Sequence, residues 1–176
     1  SWPVMPPKRR IRSHARWFPR CETASVATMW LRQVSDMETR IVLCTHGNLA
    51  EGLVSAVDMI AGAGGAIKTF SLAPGMDPFE YRAGVEAYLD EHADEAHLCF
   101  VDLFGGTPSN MLASLSQREN VEVVAGVSLP SVIEVSTRKD QMSLAELRDT
   151  ALEAIHAGAV DVKGRFSEML KKRQEG

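Results

Sequence analysis

The chain has 176 residues, 45% hydrophobic and 24% charged, enough apolar material for one domain with a real core. No apolar stretch is long enough to span a bilayer. The net charge of −4 is uneven: residues 1–39 carry seven Lys/Arg against three Asp/Glu, and the remainder carries 12 against 20, an acidic body that argues against nucleic-acid binding by the folded part.

Residues 1–36 read differently from the rest. Ser1–Arg20 is rich in Pro and Arg, has no hydrophobic period and lacks the continuous apolar core of a secretory signal. The expectation is a basic arm, disordered or loosely attached. Met37 sits just before the first apolar run, so the arm is alternatively an over-extended start, and residues 37–176 are then the domain. Cys21, Cys44 and Cys99 are odd in number and form no CxxC pair. They suggest neither disulfides nor a zinc site, Cys44 and Cys99 lie in apolar runs and read as buried thiols, and a reducing cytoplasm fits.

From Arg40 a strand–helix alternation begins. Ile41–Cys44 is a short apolar strand, and Leu49, Leu53, Val57 and Ile60 recur at helical spacing up to the stop Gly62-Ala63-Gly64-Gly65. Ala66–Leu72 is a second strand. Asp77-Pro78 is a cap with proline at the first helical position, followed by Phe79, Ala83, Val85 and Leu89. His97–Leu103 is a third strand, apolar almost throughout, as a strand covered on both faces should be. Thr107-Pro108 caps a helix carrying Met111, Leu112 and Leu115. Val121–Val127 is a fourth strand and Leu129–Val135 a short helix or turn. Ser143-Leu144-Ala145-Glu146 is a capping box ahead of the stripe Leu144, Leu147, Ala151, Leu152 and Ile155. Ala159–Lys163 reads as a short final strand and Lys171-Lys172-Arg173 as a solvated tail. The pattern predicts a single three-layer, doubly wound α/β domain with a mostly parallel sheet.

His46 and Asp102 stand where chemistry is expected, each at a strand-to-helix turn. Gly47 lets the first turn be tight and leaves space beside the ring. Gly105-Gly106-Thr107-Pro108 offers two unhindered amides, a hydroxyl and a helix N-terminus. A carboxylate that accepts the Nδ1 proton leaves Nε2 with a free lone pair, so His46 is a candidate nucleophile with Asp102 as its orienting acid. There is no GxxxxGK[ST], no GxSxG and no carboxylate cluster suited to magnesium. His92, His97 and His156 lack metal-ligand spacing and read as surface or strand-end residues. No metal or cofactor is expected.

These segments resemble the IIA component of the mannose-class bacterial sugar phosphotransferase system. The resemblance rests on Thr45-His46-Gly47-Asn48-Leu49-Ala50-Glu51-Gly52-Leu53, Val101–Asn110, Ala125-Gly126-Val127-Ser128-Leu129-Pro130 and Met142–Leu147. It implies that His46 accepts a phosphoryl group from the phosphocarrier HPr and gives it to a IIB component, serving the membrane IIC and IID components indirectly. It implies a hydrogen bond from His46 to Asp102 and a phosphoryl contact from Thr107, beside which Gly47, Gly105 and Gly106 are the further candidates for binding the phosphoryl group. Thr107 stands where the family commonly has serine. The family forms a homodimer with an exchanged, antiparallel last strand, for which Ala159–Lys163 is the candidate. It is cytoplasmic, reaching the membrane through IIB. Competing readings are the phosphoryl-donor subunit of a dihydroxyacetone kinase, a phosphohistidine sensor, and a flavodoxin-like cofactor binder.

Overall fold

A computed structural model describes residues 37–174, so the readings made for residues 1–36, Cys21 included, lie outside the described residues. The elements are β1 (Thr39–His46), α1 (Leu49–Ala61), β2 (Ile67–Leu72), α2 (Pro78–Glu91), β3 (Ala96–Val101), α3 (Thr107–Leu112), β4 (Val121–Ala125), α4 (Leu129–Arg138), α5 (Leu144–Ala157) and α6 (Val162–Gln174). Short 3-10 turns at Gly64–Ala66 and Leu115–Gln117 precede β2 and β4. All strand pairs are parallel, in the order β2-β1-β3-β4.

Alternation along each strand divides the core into two. Ile41, Leu43, Leu98, Phe100 and Val124 face α1, α4 and α5, where they meet Val57, Val132 and Leu147. Val42, Cys44, Cys99 and Val101 face the other way, toward Tyr81, Val85 and Leu89 of α2 and Leu112 of α3. A strand with helices on both faces must be apolar at odd and even positions alike. That is why β1 and β3 read as unbroken hydrophobic runs, and why Cys44 and Cys99 are buried thiols whose pKa burial pushes up, to about 12 for Cys44.

The helix starts carry the capping chemistry read from the sequence, with one exception. The Asp77 carboxylate accepts from the Phe79 amide, and Ser143 and Glu146 form a reciprocal capping box. At α3 the cap is Gly106, with Thr107 as the first helical residue. The buried face of α1 is Ala50, Leu53, Val54 and Val57, while Leu49 and Ile60 are exposed. In α2 the buried stripe is Tyr81, Val85 and Leu89, and Phe79 is exposed. Leu152 of α5 is likewise exposed.

Ala159–Lys163 is not a strand. Residues 159–161 are irregular and α6 opens at Val162. Asp161, a residue type favoured at helix starts, accepts from the Arg165 amide through its carbonyl, and its carboxylate lies over Gly164, where a Cβ would stand 2.6 Å from Oδ2. The helix-forming run Ser167–Arg173 then continues the turn.

His97 is the other correction. It lies in β3, fully buried, and neither ring nitrogen has a hydrogen-bond partner among the described residues. Its ring meets the edge of Tyr88, with centroids 5.9 Å apart, and Tyr88 in turn packs on His92 at 4.5 Å. Burial, together with His92, Arg40 and Arg118 nearby, pulls its pKa down to about 4. Between that value and the ordinary value near 6.5, the unfolded chain binds a proton that the folded chain refuses. Stability is therefore full above about pH 6.5 and falls as the pH drops toward 4, by on the order of 3 kcal/mol. Thermal unfolding followed from pH 7 to pH 4.5 should show this decline in the wild type and a shallower one in His97→Leu. Equal slopes would remove His97 as the cause.

Candidate active site

The winding sets the location. From β1 the chain passes through α1 to β2 on one side, then through α2 to β3 on the other. The turns leaving β1 and β3 therefore diverge at the carboxyl ends of two adjacent strands, which opens a crevice between them. His46 is the last residue of β1 and Asp102 the first after β3. Cys44 pairs with Val101, so the register brings the two functional residues side by side.

One carboxylate oxygen makes the connection. Asp102 Oδ2 accepts from the backbone amide of His46 at 2.9 Å and lies 2.9 Å from His46 Nδ1. Oδ1 accepts from the Leu103 amide at 2.8 Å. Partial burial raises the Asp102 pKa, but the bonds from the His46 amide and ring and from Leu103 outweigh it, and the carboxyl sits below its usual range. A carboxylate has only acceptors, so Nδ1 must carry the hydrogen of this pair. That leaves Nε2 unprotonated in the neutral ring. The His46 side chain is 45% exposed and that of Asp102 is 14% exposed, so the acid is sheltered behind an accessible imidazole.

The flanking residues hold the ring in place. A Cβ on Gly106 would lie 3.0 Å from His46 Cε1 and 3.2 Å from the Leu103 carbonyl oxygen, so the glycine is needed for the ring to fit. Gly47 has φ +54°, in the left-handed region, and its amide donates to the Leu72 carbonyl at 3.0 Å. The amides expected to be free are spoken for within the chain: Gly106 donates to Leu103 O, and Gly105 to Ser109 Oγ at 3.4 Å. Asn110 Nδ2 fixes the Gly105 carbonyl at 3.0 Å. Thr107 begins α3 beside this loop, and the first-turn amides of Thr107 and Ser109 have no intrahelical carbonyl to bond.

Sequence reasoning missed two supports. The buried hydroxyl of Thr45 accepts from the Ala50 amide at 3.0 Å, tying the end of β1 to the first turn of α1. A threonine two residues before a Gly–Asn start is a recognisable capping signal of this kind. Glu51, in the first turn of α1, accepts from the Ser71 hydroxyl of β2 at 2.6 and 2.7 Å. That pair joins residues 20 apart and has no local signature. No group of three or more His, Cys, Asp or Glu suited to a metal ion occurs among the described residues.

The chain is similar to known proteins. A model of the family described as "PTS system fructose IIA component" matches residues 40–152. The sorbose-specific EIIA component of Klebsiella pneumoniae is 29% identical over 107 residues, which are 60% of this chain and 78% of that protein. The mannose-specific EIIAB component of Escherichia coli K12 is 30% identical over 132 residues, 73% of this chain and 41% of that protein. Among solved structures, EIIA from Streptococcus agalactiae superposes with a TM-score of 0.64 at 27% identity, over 72% of this chain and 98% of the other. The fold is thus shared with phosphotransferase components of sugar uptake. The chain belongs to the EIIA family of the mannose, fructose and sorbose class of the phosphotransferase system. No helix among the described residues is long and apolar enough to cross a membrane.

The tautomer is directly measurable. Long-range nitrogen–proton NMR should show neutral His46 as the Nδ1–H form in the wild type. Asp102→Ala should shift the ring toward the Nε2–H form. In Gly106→Ala the His46 Cε1–H resonance should move while the core resonances stay. An unmoved resonance would show that Gly106 does not confine the ring.

Proposed function

We propose that the protein carries a phosphoryl group on Nε2 of His46, taking it from phospho-HPr and giving it to a IIB component during sugar uptake. The observation that supports this most is the Asp102 carboxylate, which engages Nδ1 and leaves Nε2 exposed. In the first step the Nε2 lone pair attacks phosphorus. The P–N bond of the donor phosphohistidine breaks, and its electron pair returns to the donor imidazole. The second step is the same exchange with the acceptor on IIB. Asp102 offsets the positive charge that develops on the His46 ring as Nε2 is substituted. It is a positioning and electrostatic group and takes no proton.

The phosphoryl oxygens are received by the Thr107 hydroxyl and the first-turn amides of α3, next to Gly106. Gly47 and Gly105 shape the turns, since their own amides are bonded within the chain. The surroundings favour a protein as donor and acceptor. Leu49, Met76, Phe79, Leu103 and Phe104 are exposed, and all lie in the turns or first helical residues that follow β1, β2 and β3, at the His46 end of the sheet. An apolar rim around an open imidazole suits protein docking more than enclosure of a sugar. A relative whose name joins an A and a B component supports IIB as the acceptor.

The test uses labelled phosphoenolpyruvate with enzyme I and HPr. The wild type should gain acid-labile, base-stable phosphate, and His46→Ala should gain none. Asp102→Asn should fold normally and transfer at least about 10-fold more slowly. Label retained by His46→Ala would overturn the assignment of the carrier. Label that passes to a dihydroxyacetone kinase subunit and not to a IIB component would overturn the assignment of the acceptor.

A further inference from the structure

Two consecutive glycines, Gly105 and Gly106, border the His46 ring, and such a pair gives the backbone its widest conformational freedom. The loop keeps one shape where bonds fix it. The Leu103 carbonyl accepts from the Gly106 amide at 3.2 Å, which closes a β-turn, and Gly105, its third residue, has φ +80°. Asp102 holds the start of the turn, since Oδ1 accepts from the Leu103 amide at 2.8 Å. Its end is held from α3. The Asn110 main-chain amide donates to the Gly106 carbonyl at 2.9 Å, and the Asn110 side chain donates through Nδ2 to the Gly105 carbonyl at 3.0 Å. The Gly105 amide reaches Ser109 Oγ at 3.4 Å, a longer and weaker bond.

The Asn110 side chain matters through the peptide it holds. The Gly105 carbonyl and the Gly106 amide belong to one rigid plane. Asn110 Nδ2 holds the oxygen of that plane, and the Leu103 carbonyl holds its N–H. With both ends held the plane does not rotate. Gly106 Cα, at its edge, then stays where a Cβ would lie 3.0 Å from His46 Cε1. Asn110 is exposed, so core packing does not impose this bond.

We propose that Asn110 is a positioning residue for phosphoryl transfer at His46: by clamping the Gly105 carbonyl it keeps Gly106 against Cε1 and so fixes the ring that presents Nε2. The proposal rests on the phosphoryl-carrier reading and adds to it a group that acts through Gly106. Asp102 holds the ring at Nδ1. A ring held at that one point still pivots about the bond. Backbone packed against Cε1, the carbon between the two nitrogens, removes the pivot. In-line attack of Nε2 on phosphorus tolerates little tilt, so the second hold bears on the rate.

The unphosphorylated full chain gives the first measurement. Asn110→Ala should melt like the wild type, because the side chain is exposed and alanine suits a helix. Its His46 Cε1–H resonance should move. Adding Asn110→Ala to Gly106→Ala should move that resonance little further, since the two residues act in series. Asn110→Asp keeps the size but sets an acceptor against the Gly105 carbonyl, and should move the resonance as Asn110→Ala does. In transfer from phospho-HPr, Asn110→Ala should lower kcat about 10-fold and leave KM within about twofold. An unmoved resonance overturns the proposal, as do additive shifts in the double variant. A raised KM with unchanged kcat would make Asn110 a docking contact and overturns it too. A wild type that takes no label from phospho-HPr overturns the carrier reading and, with it, the assignment of Asn110 to transfer. The resonance shifts need no phosphoryl donor, so the two failures are told apart.

Discussion

Everything at the candidate site depends on one oxygen. Asp102 Oδ2 receives the His46 backbone amide and faces the His46 ring nitrogen at the same distance. The first contact locks the end of β1 against the start of the β3 loop, and the second fixes the ring. A carboxylate already held by a main-chain donor has little freedom to follow the imidazole elsewhere. The ring therefore inherits the precision of the sheet register, in which Cys44 and Val101 are partners. Gly106 closes the opposite side by bringing backbone to within a methyl's width of Cε1. Orientation here comes from rigid elements and one glycine, and flexible loops contribute little to it.

The same arrangement explains why the histidine can be exposed without being indifferent. A buried imidazole would be slow to meet a protein partner, and a freely rotating one would offer either nitrogen. The structure separates the two requirements. The acid and Nδ1 are sheltered, while the ring as a whole remains nearly half open. His97 shows the contrast within one chain: it is fully buried, neither nitrogen has a partner among the described residues, and its pKa is pulled down. Burial without a carboxylate produces a neutral packing residue, whereas exposure with a carboxylate behind it produces a candidate nucleophile.

Much of this was legible before any coordinates. Apolar strands, glycine stops, the Asp77 cap and the Ser143 capping box are local signals, and each stands where the sequence pattern placed it. The pairing of His46 with Asp102 was inferable because both end strands of one parallel sheet. The misreadings are equally physical. Leu49, Ile60 and Phe79 fit the helix stripes by period yet are exposed, because periodicity records hydrophobicity and cannot see which apolar residues meet the sheet. His97 reads as a surface or strand-end residue because it opens the expected strand, whereas β3 begins one residue earlier at Ala96 and takes the ring into the core. The free amides expected at Gly105 and Gly106 are bonded to the Ser109 hydroxyl and the Leu103 carbonyl respectively, partners fixed by loop geometry with no sequence spacing of their own.

The C-terminal segment carries the same lesson further. Val160 and Val162 alternate with Asp161 and Lys163 as in a strand, yet Asp161 and the run that follows favour a helix. A strand at this point would need an edge to join, and a helix needs only its own backbone. Among the described residues the helix then has four apolar side chains that stay exposed. Local preference thus decides the secondary structure, and burial of these side chains does not.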